Sequence, residues 1–475
     1  MSFPGFVRSK IVCTIGPASS SPHVLDRLLE AGMDVARLNM SHGSPEEHRR
    51  VLRYLHRVGG CAVMVDLPGP KIRLGRLPTP MELGEGDQVV FAPEGRHQPG
   101  ELPLTYPRLA WEVSQGGRLL LNDGAVEVEI TDLDLDRGAI HGRVVSGGVV
   151  STGKGVNAPG ARLSARPPTP RDLEAIAFGV EEGCDWFAAS FVRGRGDVEA
   201  VRRAIEEAGG DQPVVSKVEH AEAVFNLSEV VEASDGVMVA RGDLGVEMPP
   251  WEVPLIQKRI IEACNRAGKP VIVATQMLES MVSNPLPTRA EASDVANALL
   301  DGADAVMLSA ETAVGQYPVE AVRVMNNIGQ VVEQRISRVE WGEPRGMPLP
   351  DVIGSLAARA VEAVEPSVIL VATRSGFSAL MVSKHRPRAS ILAFAPHIRI
   401  LRRMHLYWGV KPVEVDWSDD RDTLLLRAVR RSLELGYISR GDIVEIVSGS
   451  TLTPPGQTTT LEILRVDDIL DQAGA

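Results

Sequence analysis

The sequence predicts an α/β protein: a (β/α)8 barrel carrying an inserted small β-barrel domain, followed by a C-terminal α/β domain. Eight short β-branched runs separated by amphipathic segments give the strand count of such a barrel. The third and fourth runs lie roughly 110 residues apart, where most connections run about 2 to 6, so the gap holds a domain. A Pro- and Gly-rich break near residue 341 precedes a second, shorter alternation of strands and helices. The 475 residues, 44% of them apolar, suit about three domains at ~150 residues each.

The eight runs are Lys10–Ile15, Val35–Met40, Cys61–Asp66, Asp185–Phe191, Pro213–Val218, Gly236–Ala240, Pro270–Thr275 and Ala305–Ser309. Helical periodicity fills segments such as Pro22–Ala31 and Pro254–Ala267, and a helix through about Ile336 closes the series. Continuous apolar stretches such as Ala62–Val65 and Val271–Ala274 fit parallel strands covered on both faces. Between Leu74 and Asn157 the pattern turns to alternating strands, Arg118–Ile130 and Ala139–Val150 among them, with Gly- and Pro-rich turns. Trp341–Pro350 reads as a linker. Beyond it, strands are expected at Val368–Ala372, Ser390–Ala395, Val410–Val415, Asp442–Val447 and Leu461–Val466. The resulting division is 1–73 and 158–340 for the barrel, 74–157 for the insertion and 351–475 for the last domain.

Fifty Lys plus Arg against 62 Asp plus Glu leave a net charge of −12, which argues against a nucleic-acid partner and for small-molecule chemistry. No run reaches the ~18 apolar residues of a membrane span, and Met1–Pro17 lacks the sections of a secretory signal, so a cytoplasmic protein is expected. Cys13, Cys61, Cys184 and Cys264 form no Cys-x-x-Cys pattern and read as reduced core residues. The chain has eight lysines against 42 arginines, so each lysine is mildly informative.

Catalytic groups of such barrels stand at the C-terminal ends of the strands. Here those ends read Arg37, Asn39, Ser41 and His42 after the second strand, and Asp66, Lys71 and Arg73 after the third. Lys217 and Glu219 follow the fifth, Arg241, Gly242 and Asp243 the sixth, Thr275 and Gln276 the seventh, and Ser309 and Glu311 the eighth. Glu219 and Asp243 close adjacent strands and offer two hard oxygen ligands to Mg²⁺, or equally to Mn²⁺; read alone, they could also be surface acids paired with Lys217 and Arg241. Arg37, Lys71, Arg73, Lys217 and Arg241 outnumber these two acids, which suits an anionic substrate. Metal plus excess cations suggests phosphoryl chemistry. The amides around Gly242 suit a carboxylate at a short helix start.

The residues Lys10-Ile-Val-Cys-Thr-Ile-Gly-Pro17, Met33-Asp-Val-Ala-Arg-Leu-Asn-Met-Ser-His-Gly43, Val239-Ala-Arg-Gly-Asp-Leu-Gly245 and Lys269-Pro-Val-Ile-Val-Ala-Thr-Gln-Met-Leu-Glu-Ser-Met281 resemble the pyruvate kinase family. The resemblance continues through Pro287–Glu291, Asp294–Asn297, Met307–Thr312, Ala372–Gly376 and His385–Arg388, and is loose in the insertion. It implies phosphoryl transfer from phosphoenolpyruvate to ADP, giving pyruvate and ATP in glycolysis, by a homotetramer. It also implies that Glu219 and Asp243 hold the divalent metal and Lys217 the moving phosphoryl group. Arg37, Gly242, Asp243 and Thr275 would contact phosphoenolpyruvate; Asn39, His42, Arg73 and Lys154 would face the nucleotide phosphates. Lys154, between Gly153 and Gly155, suits the hinge of a closing lid, or else an ordinary Gly-rich turn. Thr275 and Ser309 are candidates to relay the proton an enolate carbon needs, although Thr275 could simply cap the following helix.

Many members of the family bind K⁺ through residues matching Asn39, Ser41, Asp66 and the carbonyl of Leu67. Where that pattern has Glu, this chain has Lys71. Two positive charges ~4 Å apart repel by about 4 kcal/mol at an effective dielectric of 20, so activity without K⁺ is expected unless Lys71 points to solvent. In the last domain, Thr373-Arg-Ser-Gly-Phe-Ser378 runs from a strand into a helix and resembles the family's allosteric phosphate loop, with Thr373, Arg374, Ser375, Gly376 and Ser378 as contacts; an N-capped helix without ligand is the plainer reading. The covering loop, Ser448–Thr460, holds no Arg or Lys, which favours AMP or a sugar monophosphate over fructose bisphosphate. The rival reading is a Mg²⁺-enolate lyase or aldolase, which has no need of a nucleotide-binding insertion.

Overall fold

The computed structural model describes residues 6–336, 347–449 and 458–472. All eight barrel runs form strands: Lys10–Ile15, Val35–Asn39, Ala62–Asp66, Trp186–Ala189, Val214–Val218, Gly236–Ala240, Val271–Ala274 and Ala305–Leu308. They close into one parallel barrel in chain order, with the eighth strand pairing the first. Successive residues point to opposite faces, so Val12, Met64, Trp186, Val215, Met238, Ile272 and Met307 fill the interior. Ile11, Cys13, Val63, Val65, Val237, Val239 and Val273 face the surrounding helices. All four cysteines are free and buried.

The base of the barrel repeats one device four times. Asp34, Asp185, Asp235 and Asp304 each precede an even-numbered strand. Their carboxylates accept the amides of Ile11, Val63, Val214 and Val271 on the preceding odd-numbered strands, at 2.9, 2.9, 2.9 and 2.8 Å. A cation accompanies each acid: Lys10, Arg402, Arg202 and Arg386 respectively. Arg402 and Arg386 belong to the C-terminal domain, and Lys10 donates to the Val410 carbonyl there. Arg8 and Arg386 also lie over the Trp408 ring, so buried charge and stacking join barrel and C-terminal domain.

The insertion contains a six-stranded sheet and a two-stranded ribbon, where a small β-barrel was expected. The expected run Arg118–Ile130 is a hairpin instead, with strands Arg118–Leu121 and Val126–Asp134. Asn122 and Asp123 between them take left-handed φ values, as an Asn-Asp-Gly turn favours. Likewise Ala139–Val150 divides into Ala139–Ser146 and Gly148–Val150, which pair with different strands.

In the C-terminal domain the strand order is Val410–Pro412, Ser390–Phe394, Val368–Ala372, Ile443–Ser448, Thr460–Arg465, the last antiparallel. The edge strand stops at Pro412, short of the expected Val415, in keeping with proline's place on sheet edges. The helix expected to reach Ile336 ends at Val332. Most of the linker Trp341–Pro350 and of the covering loop Ser448–Thr460 lies outside the described residues. Among the described residues no helix is long and apolar enough to cross a membrane.

Candidate active site

A cavity of about 500 Å³ opens at the C-terminal ends of the barrel strands, roofed by the insertion. Its walls include Arg37, Asn39, Ser41, His42, Asp66, Leu67, Lys71, Arg73, Lys217, Glu219 and Asp243 from the barrel side. Gly153, Lys154 and Gly155 close it from the insertion. The segments meet in a paired stem: Leu74 donates to the Lys154 carbonyl at 2.8 Å, and the Arg73 guanidinium to the Gly153 carbonyl at 2.9 Å. A Cβ at Gly155 would stand 3.2 Å from Lys71 Cε, so this glycine lets the lysine pass.

An alternating chain of charge runs along the floor. Arg37 Nε donates to Asp66 Oδ2 at 2.7 Å, and Lys217 Nζ lies 3.3 Å from Asp66 Oδ1 and 2.9 Å from Glu219 Oε1. Burial works against the Lys217 ammonium, but Asp66 and Glu219 outweigh it and hold its pKa above the ordinary value. Burial also opposes the Asp66 carboxylate, yet Arg37 and Lys217 draw its pKa down. Glu219 goes the other way: burial, reinforced by the charge of Asp243, pushes its carboxyl up despite Lys217. Glu219 therefore senses the charge of Asp243. Lys71 Nζ sits on Asp243 Oδ1 at 2.7 Å and does not turn to Asp66. Around His42, burial and the cations Arg73, Arg37 and Lys71 lower the imidazole pKa, which marks this wall as a place for an anion.

Three expected site residues, Gly242, Thr275 and Ser309, are not among the cavity walls. Thr275 takes φ +74°, a strained value for a β-branched residue, and its Oγ accepts the Gly242 amide at 2.7 Å. It thus caps the helix Arg241–Glu247 across the strand ends, and the Gly242 amide is already engaged. Ser309 donates its amide to Glu311 at 2.7 Å. Arg241, expected among the cations of the mouth, instead pairs with Asp294 at 2.8 Å and donates to the Thr275 carbonyl. Buttressing strand seven satisfies its guanidinium outside the cavity.

The strand-end reading missed Ser190, Phe191 and Thr14. Ser190 Oγ accepts Lys217 Nζ at 2.7 Å; the Phe191 amide, in a left-handed backbone, donates to Glu219 Oε2 at 2.7 Å; Thr14 Oγ1 accepts Arg37 at 2.8 Å. The same rule, applied to the first and fourth strands, finds Thr14 and Ser190. In the C-terminal domain, Thr373 Oγ1 accepts the Gly376 amide at 3.0 Å, and Ser375 Oγ accepts that of Phe377 at 3.4 Å. Ser378 and Thr458 share a hydroxyl contact of 2.5 Å, and Arg374 pairs with Asp419 beneath the Trp417 ring.

Barrel, carboxylate pair and cation-rich cleft define an enzyme that handles a small anionic substrate. Family models agree: "Pyruvate kinase, barrel domain" matches residues 6–322 and "Pyruvate kinase, alpha/beta domain" residues 351–464. The chain is 42% identical over 480 residues to a pyruvate kinase of Sporosarcina psychrophila, and 43% identical over 475 residues to one of Geobacillus stearothermophilus. Each alignment covers 98% of this chain and 81% of the relative. The chain belongs to the pyruvate kinase family, whose members are phosphotransferases.

Proposed function

We propose that the cavity passes the phosphoryl group of phosphoenolpyruvate to ADP without requiring K⁺. The observation that carries this reading is the pairing of Lys217 with Glu219 beside Asp243, in a cleft whose far wall is the insertion. Glu219 and Asp243 suit a divalent cation: both offer hard acid oxygens, and Glu219 feels the charge of Asp243. Bound there, Mg²⁺ or Mn²⁺ would offset the charge of phosphate oxygens. Lys217, fixed by Ser190, Asp66 and Glu219, holds its ammonium toward the phosphoryl group without reorganising. Arg37, braced by Asp66 and Thr14, orients the anionic substrate.

Lys154, Arg73, Asn39 and His42 take the nucleotide phosphates, and the insertion acts as the lid that excludes water. A neighbouring, more apolar cavity of about 390 Å³ shares Asn39 and His42 and adds Ile15, Pro17, Val51 and Val314, which suits the base. Thr275 and Ser309, at the ends of adjacent strands, relay the enolate proton; to do so the Thr275 hydroxyl, which now donates to the Ala274 carbonyl at 2.6 Å, turns toward the substrate. The lid, with Lys154 facing the floor, disfavours a lyase or aldolase.

Lys71 supplies the positive charge that K⁺ brings in cation-dependent relatives, in the cleft lined by Asn39, Ser41, Asp66 and Leu67. Exposed Trp251, Leu255, Leu286 and Leu300 give the barrel apolar surface for self-association, in keeping with a homotetramer. The loop Thr373–Ser378 takes a phosphorylated effector, AMP or a sugar monophosphate, and the domains divide at 74, 158 and 351. The protein works in the cytoplasm. A coupled assay of pyruvate formed from phosphoenolpyruvate and ADP tests the activity: turnover of both substrates supports it, and none with either Mg²⁺ or Mn²⁺ refutes it.

A further inference from the structure

Glu247 ends the helix Arg241–Glu247, which carries Asp243 in its first turn. Neither Glu247 nor its partner Asn157 is among the cavity walls, yet Asn157 is buried and the Glu247 side chain is only 8% exposed. Asn157 belongs to the insertion: its backbone pairs with Leu120 in the six-stranded sheet. Its Nδ2 crosses to Glu247 Oε1 at 3.3 Å. The second oxygen, Oε2, is buried without a hydrogen bond and faces His220 Nε2 at 3.6 Å. His220 Nδ1 accepts the Glu222 amide at 3.1 Å, so the neutral ring carries its proton on Nε2, toward Glu247. His220 directly follows Glu219 in the chain. One carboxylate thus stands between the segment bearing Glu219, the helix bearing Asp243 and the sheet of the insertion.

Among the described residues, the other side-chain hydrogen bonds from 75–157 to the chain beyond 158 are those of Tyr106 and Glu112 to Ser164, in the return segment itself and not at the strand ends. The return segment is held separately, by the Arg193 guanidinium on the Leu163 and Ala165 carbonyls at 2.5 and 3.1 Å. Arg193 fixes where the chain re-enters the barrel, whereas the Asn157–Glu247 bond fixes how the sheet sits over the cleft. A hydrogen bond to a buried carboxylate in such a place has leverage on lid position and little on the floor.

We propose that Glu247 is a positioning residue: through Asn157 it ties the insertion to the two segments that present Glu219 and Asp243, and so sets the lid for ADP. The proposal rests on reading the insertion as the nucleotide lid, which ADP-dependent turnover of the unaltered enzyme tests by itself. Asn157→Ala and Glu247→Ala each raise KM for ADP roughly tenfold, the effect expected for losing one charge-assisted hydrogen bond, while KM for phosphoenolpyruvate changes less than about twofold. Glu247→Gln, whose amide oxygen still accepts from Asn157 but without the charge, restores part of the ADP affinity. The double alanine variant is no worse than either single one. Amide exchange at 153–157 quickens in both alanine variants, a readout independent of catalysis. The proposal is overturned if folded Glu247→Ala keeps wild-type KM for ADP and wild-type exchange, if the single effects add, or if Glu247→Gln is as impaired as alanine.

Discussion

Lys71 Nζ lies 2.7 Å from Asp243 Oδ1, so a lysine standing where cation-dependent members of the family carry Glu holds one of the two candidate metal carboxylates. The ammonium is tethered inside the cleft that also presents Asn39, Ser41 and Asp66. Turnover of the unaltered enzyme should change less than about twofold when K⁺ replaces tetramethylammonium at fixed ionic strength, because the Lys71 ammonium already brings positive charge into this cleft. Lys71→Glu should create a K⁺ requirement of tenfold or more, since two carboxylates then face each other where one was paired. A severalfold K⁺ activation of the wild type contradicts this.

Arg386 and Asp304 form an ion pair of 2.7 Å at the barrel base, with only 2% and 4% of each residue exposed. Removing one partner strands the other, at a cost of about 3–5 kcal/mol. Arg386→Ala should therefore lower the thermal midpoint by several degrees, measured by calorimetry. The exposed pair Arg266–Glu262 is the control, and Arg266→Ala should shift it by a degree or less.

Glu445 lies on a central strand of the C-terminal domain with both carboxylate oxygens buried and without a hydrogen-bond partner, and burial pushes its pKa up to about 8. The folded state keeps this proton where the unfolded chain, with an ordinary Glu, has released it. Stability is therefore full below about pH 4.5 and declines as pH rises toward about 8, the sign linkage gives for a raised carboxyl. Glu445→Gln should raise the thermal midpoint at pH 8 by a few degrees and leave it nearly unchanged at pH 5. An equal shift at both values would mean that ionisation is not the cause.

Thr373 and Ser375 spend their hydroxyls on the amides at the start of the helix Phe377–Lys384. A phosphate there would compete for those amides. AMP or a sugar monophosphate should raise the thermal midpoint in proportion to occupancy, and fructose bisphosphate should do so less. Thr373→Ala should weaken the shift. No response to any of these ligands would favour a capped helix without an effector.

Much of the fold was legible because apolar runs buried on both faces leave a continuous signature; every barrel strand fell within one or two residues of its expected place. The insertion was read less well. Its strands are short and the Asn122-Asp123-Gly124 turn interrupts what looks like one run from Arg118 to Ile130. Site residues at strand ends were found by position, but their partners were not: nothing local in the sequence says that Arg241 turns to Asp294 or Lys71 to Asp243, since both contacts join residues far apart in the chain. Phe191 was invisible for another reason, because only its backbone amide acts.

The central claim is that the Lys217 ammonium, held by Ser190, Asp66 and Glu219, stabilises the phosphoryl group in flight. Single-turnover phosphoryl transfer by Lys217→Met, with fold and Mn²⁺ binding checked on the same sample, tests it most directly. Transfer should slow by about 10³-fold or more, the scale of removing a preorganised charge from a transition state. A folded, metal-loaded variant that transfers the phosphoryl group at the wild-type rate would contradict the account.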